Sequence, residues 1–242
     1  MRKLKELKTG KAKRLYTTDD PEVLWVEYLD QATALNGKRK EQIATKGALN
    51  NQIDSLLFDY LIANGVPTDF IRQVSATEQL IHPVKMIPLE VVVRNLASGS
   101  FQRKFATDYL QPLKQPIVEL FYKSDELDDP FMNDDQVTAL GIASAVELVQ
   151  IKQLALQINQ LLIARFAQGQ LTLVDFKIEV GYLNGQLVLA DEISPDSCRL
   201  VDTTTQESLD KDVFRKHTGD LTTVYREVLT RLQNSEVAHV SR

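Results

Sequence analysis

Asp175, Lys177 and Glu179 stand two residues apart within Leu173-Val174-Asp175-Phe176-Lys177-Ile178-Glu179-Val180-Gly181. On a strand, side chains alternate between faces, so these three project from one side while Val174, Phe176, Ile178 and Val180 project from the other. The result is carboxylate, ammonium and carboxylate in a row on an apolar spine. Solvated surfaces carry such rows too, so the pattern points to chemistry only if other residues converge on it. Asp191-Glu192 do so, because the intervening Asn184-Gly185 is the strongest hairpin signal in the chain. Antiparallel pairing brings carboxylates of both strands within reach of one hard cation, and oxygen ligands suit Mg²⁺. Register decides which acid serves. A two-residue turn sets Glu179 opposite Ala190, which puts Glu192 on its side and turns Asp191 away, whereas a bulge at Gly181 or a three-residue loop brings Asp191 onto the Glu179 face.

Three further groups could handle anions. Arg94 precedes Leu96-Ala97-Ser98-Gly99-Ser100, whose small residues let backbone N–H groups approach a phosphate. A guanidinium with the Ser100 hydroxyl and a helix N-terminus after Gly99 is a sensible phosphomonoester cradle. An arginine bridging two elements beside helix-capping serines is the equal alternative. Near the start, Gly10-Lys11-Ala12-Lys13 sets a turn glycine before two lysines with period two, so both ammonium groups are expected to leave one strand face and clamp a polyphosphate. This is no P-loop, since the G-x-x-x-x-G-K-[ST] run is absent, and a basic hairpin is more often a solvated edge. Arg199 ends the polar stretch Ser194-Pro195-Asp196-Ser197-Cys198-Arg199, read as a loop that joins Arg94 in holding an anion. Cys198 has no histidine nearby in sequence and reads as a buried thiol, not a nucleophile. The acidic run from Tyr122 to Pro130 reads as solvated loop or lid.

The elements that must position these residues form an α+β pattern without strict βαβ alternation. A β-meander is expected over residues 4–8, 13–17 and 23–29. A helix follows on the spacing of Leu49, Ile53, Leu56, Leu57, Tyr60 and Leu61, with Gly65 as its stop. Strands are expected at 70–74, 79–81 and 89–94. Ile151, Leu154, Ala155, Ile158, Leu161, Leu162 and Phe166 mark the longest helix, a hairpin spans 171–193, and a last helix covers 220–232 before a frayed tail from Asn234 to Arg242.

The 242 residues carry a formal charge of −5, with 43% hydrophobic and 25% charged residues. That balance gives no global attraction to nucleic acid or to an anionic membrane, so phosphate binding must come from local clusters. No run reaches transmembrane length, a signal peptide is not apparent, and the single cysteine fits a reducing, cytoplasmic compartment. His82, His217 and His239 lack zinc-type spacing.

Taken in order, Gly10-Lys11-Ala12-Lys13, Pro88-Leu89-Glu90 through Arg94-Asn95 to Gly99-Ser100, Val174 through Glu179 with Gly181, and Asp191-Glu192 through Ser194-Pro195-Asp196 to Arg199 resemble the motifs of the SAICAR synthetase family over about residues 10–232. The resemblance implies a two-lobed fold similar to the ATP-grasp and SAICAR synthase group, with a β-rich nucleotide-binding lobe at 1–87, a substrate- and metal-binding lobe at 88–242, and the nucleotide cleft between them. It implies ATP-driven condensation of carboxyaminoimidazole ribonucleotide (CAIR) with L-aspartate through a carboxyl phosphate, and is compatible with a homo-oligomer. Carried onto this chain, Lys11, Lys13 and Lys123 would contact ATP phosphates beside Gly10 and Ala12, and the backbone near Met86 would receive the adenine. Glu179 and Asp191 would bind Mg²⁺, which selects the bulged hairpin. Arg94, Ser100 and Arg199 would hold the ribonucleotide phosphate, with Asp175, Lys177 and Asp129 lining the reacting region. The chain departs from the pattern at Val180, Ser98 and His82-Pro83, and at Val201, where the family commonly has Trp beside the arginine. A nucleotide-binding regulatory module and a small-molecule kinase are the alternative readings.

Overall fold

Residues 1–34 and 39–240 are described by a computed structural model. The expected meander forms as β1 (Lys3–Thr9), β2 (Lys13–Thr18) and β3 (Leu24–Tyr28). β4 (Gln31–Ala34) and β5 (Arg39–Gln42) then pair with each other. Helix α1 (Lys46–Ala63) buries Leu49, Ile53, Leu57 and Leu61, the stripe read from the sequence. It stops where Gly65, at φ 80°, turns the chain back so that the Val66 N–H reaches the Leu61 carbonyl. β6 (Phe70–Gln73) and β7 (Glu78–Ile81) complete a five-stranded sheet ordered β1-β2-β3-β7-β6.

A second sheet carries most of the charged row. β8 (Lys85–Leu96) opens it, so the 87/88 division expected from sequence falls inside one strand. After α2 (Gly99–Phe105) come β9 (Pro112–Tyr122), β10 (Phe131–Met132), α3 (Asp134–Ala139) and α4 (Ala145–Gln168). β11 (Leu171–Leu183) and β12 (Gln186–Ala190) follow, then β13 (Cys198–Asp202), α5 (Asp212–Lys216) and α6 (Leu221–Val240). The order is β10-β9-β8-β11-β12, with β13 taking the β11 edge beyond the end of β12. Helix α4 starts on a capping box in which Ser144 and Glu147 satisfy each other's backbone N–H. Its buried Ile151, Ala155, Ile158, Leu162 and Phe166 join Phe176, Ile178 and Val180 of β11 and Leu89, Val91 and Val93 of β8 in one core. Each of these side chains larger than Ala155 contributes roughly 1.5–3 kcal/mol on burial. That packing fixes the opposite face of β8 and β11, where the charges lie.

Two readings of the sequence are corrected here. The stretch taken as a loop up to Arg199 becomes strand at Cys198, because Cys198, Leu200 and Val201 are buried against β11 while Arg199 and Asp202 are only half-buried. Val201 is packed in this strand opposite Thr172. The tail expected to fray from Asn234 instead continues α6 to Val240, with residues 241–242 outside those described. Buried Arg165 anchors it, donating to Ser235 Oγ at 2.6 Å and to the Leu232 carbonyl at 2.9 Å.

Candidate active site

Asp175 lies between two arginines by register alone, since on β11 it pairs with Arg94 of β8 on one side and Arg199 of β13 on the other. Arg94 Nη1 donates to Asp175 Oδ2 at 2.8 Å, and Arg199 Nη1 donates to both carboxylate oxygens at 3.1 and 3.0 Å. The row continues outward, with Arg94 Nε on Glu119 of β9 at 2.7 Å and Arg199 Nε on Asp212 of α5 at 3.3 Å. Alternating charges hold both guanidinium planes in place, and fixed bidentate donors are what phosphate recognition uses. Arg94 Nη2 also donates to Ser100 Oγ at 3.1 Å, so the two residues paired in the sequence reading meet here. Gly99, at φ 56°, is required beside it: a Cβ there would lie 2.8–2.9 Å from the Arg199 guanidinium. Burial would raise the Asp212 carboxyl, yet Arg199, Arg215 and Lys216 hold it down at about 2.

Further along the same face, Lys177 donates to Glu90 at 2.9 Å and Glu179 at 3.1 Å and stands 3.8 Å from Asp191. Burial favours its neutral form, but Glu179, Asp191 and Glu90 keep the ammonium above its usual range. Lys123 sits on the other oxygen of Glu179, and Lys13 on Asp191 with Glu192 at 3.3 Å. Asp191 is held below its usual range, since Lys13 and Lys177 outweigh the burial that would raise it.

Asp191 reaches this face without the bulged hairpin. β11 and β12 keep the two-residue turn, with Asn184 at φ 51° and Gly185 at φ 84°, and Glu179 faces Ala190. The strand ends at Ala190, and Asp191 itself adopts φ 71°, which breaks the alternation that would have turned it away. The irregularity at Gly181 lies instead between β11 and β8, where Gly181 faces Met86 and a Cβ would come within 2.6 Å of the Lys85 carbonyl. β9 pairs with β8 only from Leu89 onward, so the edge of β8 at Met86 that faces away from β11 has no strand partner among the described residues.

The two lysines of the glycine turn also part company. Only Lys13 is on the strand, while Lys11 lies in the tight turn closed by Gly10 N–H on the Lys13 carbonyl at 2.8 Å. Ala12 spends its carbonyl on the Leu29 N–H. Lys11 points to Asp125, 2.7 Å away, on the loop after β9, and so bridges the two sheets. Asp129 ties that same loop by accepting the Ser124 N–H at 2.8 Å.

An open cavity of about 290 Å³ covers the arginine end of the charged face and is lined by Glu90, Arg94, Ser100, Asp175, Lys177 and Arg199, together with Asp196 and Arg215. Asp129 is not among its walls. Sequence reasoning quoted Glu90 and Asp196 within motifs without giving them a role, and missed Glu119, Asp212 and Arg215. Asp196 takes Lys46 at 2.6 Å, Lys211 at 3.3 Å and the Tyr225 hydroxyl at 2.5 Å, binding α1, the segment before α5, and α6 to the cavity wall. Only the period-two placement of Glu90 before Arg94 could have revealed one of them. Burial raises the Cys198 thiol, in keeping with a structural cysteine. Among the described residues no helix is long and apolar enough to cross a membrane, and no three His, Cys, Asp or Glu side chains are grouped to hold a metal.

The fold defines the class first. The chain is similar to the crystal structure of phosphoribosylaminoimidazole-succinocarboxamide synthase from Ehrlichia chaffeensis, with TM-score 0.92 and 41% identity over 95% of this chain and 98% of that one. A SAICAR synthetase solved in complex with ADP is as similar, with TM-score 0.91 and 42% identity over 95% of this chain and 98% of the other. These relatives mark a class of mixed α+β purine-biosynthesis ligases. The phosphoribosylaminoimidazole-succinocarboxamide synthase of Pediococcus pentosaceus is 63% identical over 98% of both chains. With the SAICAR synthetase family signature matching residues 6–232, the chain belongs to the SAICAR synthetase family.

Proposed function

We propose that this chain condenses CAIR with L-aspartate to SAICAR in the cytoplasm, converting ATP to ADP and phosphate through a carboxyl phosphate. The observation that carries the reading is one continuous face, with lysines on paired carboxylates at one end and two arginines with Ser100 at the other. ATP phosphates belong at the first end, contacted by Lys11, Lys13 and Lys123 beside Gly10 and Ala12, with adenine against the unpartnered β8 edge at Met86. The ribonucleotide phosphate belongs at the second, on Arg94, Ser100 and Arg199. In this reading the chain before β8 forms the nucleotide-binding lobe and β8 onward the substrate lobe, in an ATP-grasp-like arrangement.

Mg²⁺ suits the first end, because Glu179 and Asp191 offer oxygen donors bridged by Lys177 and the ion usually completes its shell with substrate phosphates. Glu179 and Asp191 would hold it, and when bound it neutralises charge on the phosphoryl group being transferred. A carboxylate is a poor acylating agent because oxide would have to leave, so phosphorylation of the CAIR carboxylate must come first. Lys13, Lys123 and Lys177 supply positive charge where that phosphoryl group passes, and they are held there before substrate arrives. Asp175 and Lys177 line the reacting region, Asp175 orienting the arginines. Asp129 acts at one remove, by ordering the loop that carries Lys123 and Asp125.

The test is ADP release by the purified protein with ATP, Mg²⁺, CAIR and L-aspartate, omitting each in turn. Release that needs all four, with a succinocarboxamide product, supports the ligase. A phosphorylated product without aspartate would support a kinase instead.

A further inference from the structure

Lysines and arginines along the charged face answer the phosphates of ATP and of the ribonucleotide. L-Aspartate, with two carboxylates of its own, still needs a cation. We propose that Arg215, with Lys211 and Lys46 behind it, receives a carboxylate of L-aspartate, an assignment that rests on the ligase reading above.

The three arginines of the cavity differ in what they have left to give. Arg94 spends Nε on Glu119, Nη1 on Asp175 and Nη2 on Ser100. Arg199 spends Nε on Asp212 and Nη1 on both oxygens of Asp175. The Arg215 guanidinium has a single hydrogen-bond partner among the described residues, Asp212, which takes its Nη1 at 2.6 Å. Its side chain is 38% exposed, against 4% for Arg94 and 23% for Arg199. Nε and Nη2, the parallel donor pair that fits the two oxygens of a carboxylate, therefore remain for a ligand.

The charge at this corner points the same way. Lys211 lies one helical turn before Arg215, whose N–H reaches the Lys211 carbonyl at 3.0 Å. Among the described residues, Lys46, Lys211, Arg215 and Lys216 have two carboxylates within salt-bridge distance, Asp196 for the first two and Asp212 for the others. Asp212 serves Arg199 as well. Asp210 spends its oxygens on the Leu200 and Asp212 N–H groups. Burial pushes the Lys211 ammonium below its usual range, Lys46 and Arg215 add to the effect, and Asp196 offsets only part of it. With the Lys46 side chain 1% and the Lys211 side chain 12% exposed, water does little to compensate this excess of positive charge. An arriving anion does.

The corner also adjoins the place where the amine is needed. The Lys177 N–H donates to the Ser197 carbonyl at 2.9 Å, which sets Asp196 and Ser197 against the reacting part of β11. Asp196, Ser197 and Arg215 line the same cavity as Lys177. A carboxylate held on Arg215 keeps the amino group of aspartate inside that cavity.

The rival role for Arg215 is to extend the phosphate cradle, since Asp212 links it to Arg199, and the two roles load different substrates. Steady-state rates of wild type, Arg215→Gln and Arg215→Lys are measured with each of ATP, CAIR and L-aspartate varied in turn while the others are saturating. In Arg215→Gln, KM for L-aspartate rises roughly 10- to 100-fold, as expected for a lost charge-assisted contact, while KM for CAIR and for ATP stays within about twofold of wild type. Arg215→Lys recovers part of the loss. L-Malate keeps both carboxylates and replaces the amine by a hydroxyl, so it competes with L-aspartate without reacting, and its inhibition constant rises by the same factor. A KM for CAIR that rises as far as that for L-aspartate, or L-malate that inhibits wild type and Arg215→Gln equally, overturns the assignment. Wild-type protein that releases no ADP with all four substrates overturns the ligase reading and the role of Arg215 with it.

Discussion

Replacing Asp175 by Asn removes the one charge shared by Arg94 and Arg199 while keeping the shape of the side chain. The two arginines donate three hydrogen bonds to it, and the carboxylate side chain is 4% exposed. Breaking a buried pair by neutralising one partner costs about 3–5 kcal/mol. The lower end applies, because Arg94 keeps Glu119 and Arg199 keeps Asp212. At about 2–4 °C per kcal/mol for a chain of this size, 3 kcal/mol corresponds to a fall of roughly 6–12 °C in Tm. The same substitution leaves two guanidinium groups short of negative charge, so inorganic phosphate should recover more Tm in the variant than in wild type. Differential scanning fluorimetry with and without phosphate reads both effects, and steady-state kinetics should show KM for ATP unchanged. A Tm within about 2 °C of wild type, or phosphate that stabilises both proteins equally, would refute the claim that Asp175 orients a phosphate cradle.

Three further outcomes follow from the same geometry. Gly99→Ala puts a Cβ against the Arg199 guanidinium at a left-handed backbone position; losing one charge-assisted contact of about 1.5–3 kcal/mol raises KM for CAIR roughly 10- to 100-fold in steady-state assays. Glu179→Gln, which removes one of the paired carboxylates, lowers Mg²⁺-dependent turnover by about 100-fold or more while circular dichroism stays that of wild type. The Asp212 carboxyl is held at about 2 in the folded protein, below the unfolded value near 3.9. It therefore contributes stability that is complete above about pH 4 and lost as pH falls through 2. Urea unfolding across that window should show a shallower loss for Asp212→Asn than for wild type.

Much of the scaffold was legible because its signals are local. The Asn184-Gly185 turn and the period-two row from Asp175 to Glu179 are facts of neighbouring residues, as is the α4 stripe, and each formed where the sequence put it. What escaped depends on a single backbone angle or on pairing between distant strands. Asp191 joins the Glu179 face through its own positive φ, which no composition signal announces. Lys11 lies in the turn that precedes β2 and not on the strand face that period-two reasoning gave it, and from there it reaches Asp125 far along the chain. Glu90 stood in a quoted motif but was given no role from sequence, since its meaning lies in the register that sets it across from Glu179. The β13 strand was hidden by the serine-rich turn before it and by the alternation of buried Leu200 with the more exposed Arg199 and Asp202.

The most direct measurement follows oxygen. CAIR labelled with ¹⁸O in its carboxylate is turned over with ATP, Mg²⁺ and L-aspartate, and the released phosphate is analysed by mass spectrometry. One labelled oxygen in each phosphate is the result expected if the cleft phosphorylates that carboxylate before the amine attacks. Unlabelled phosphate, with ADP still formed, would contradict it.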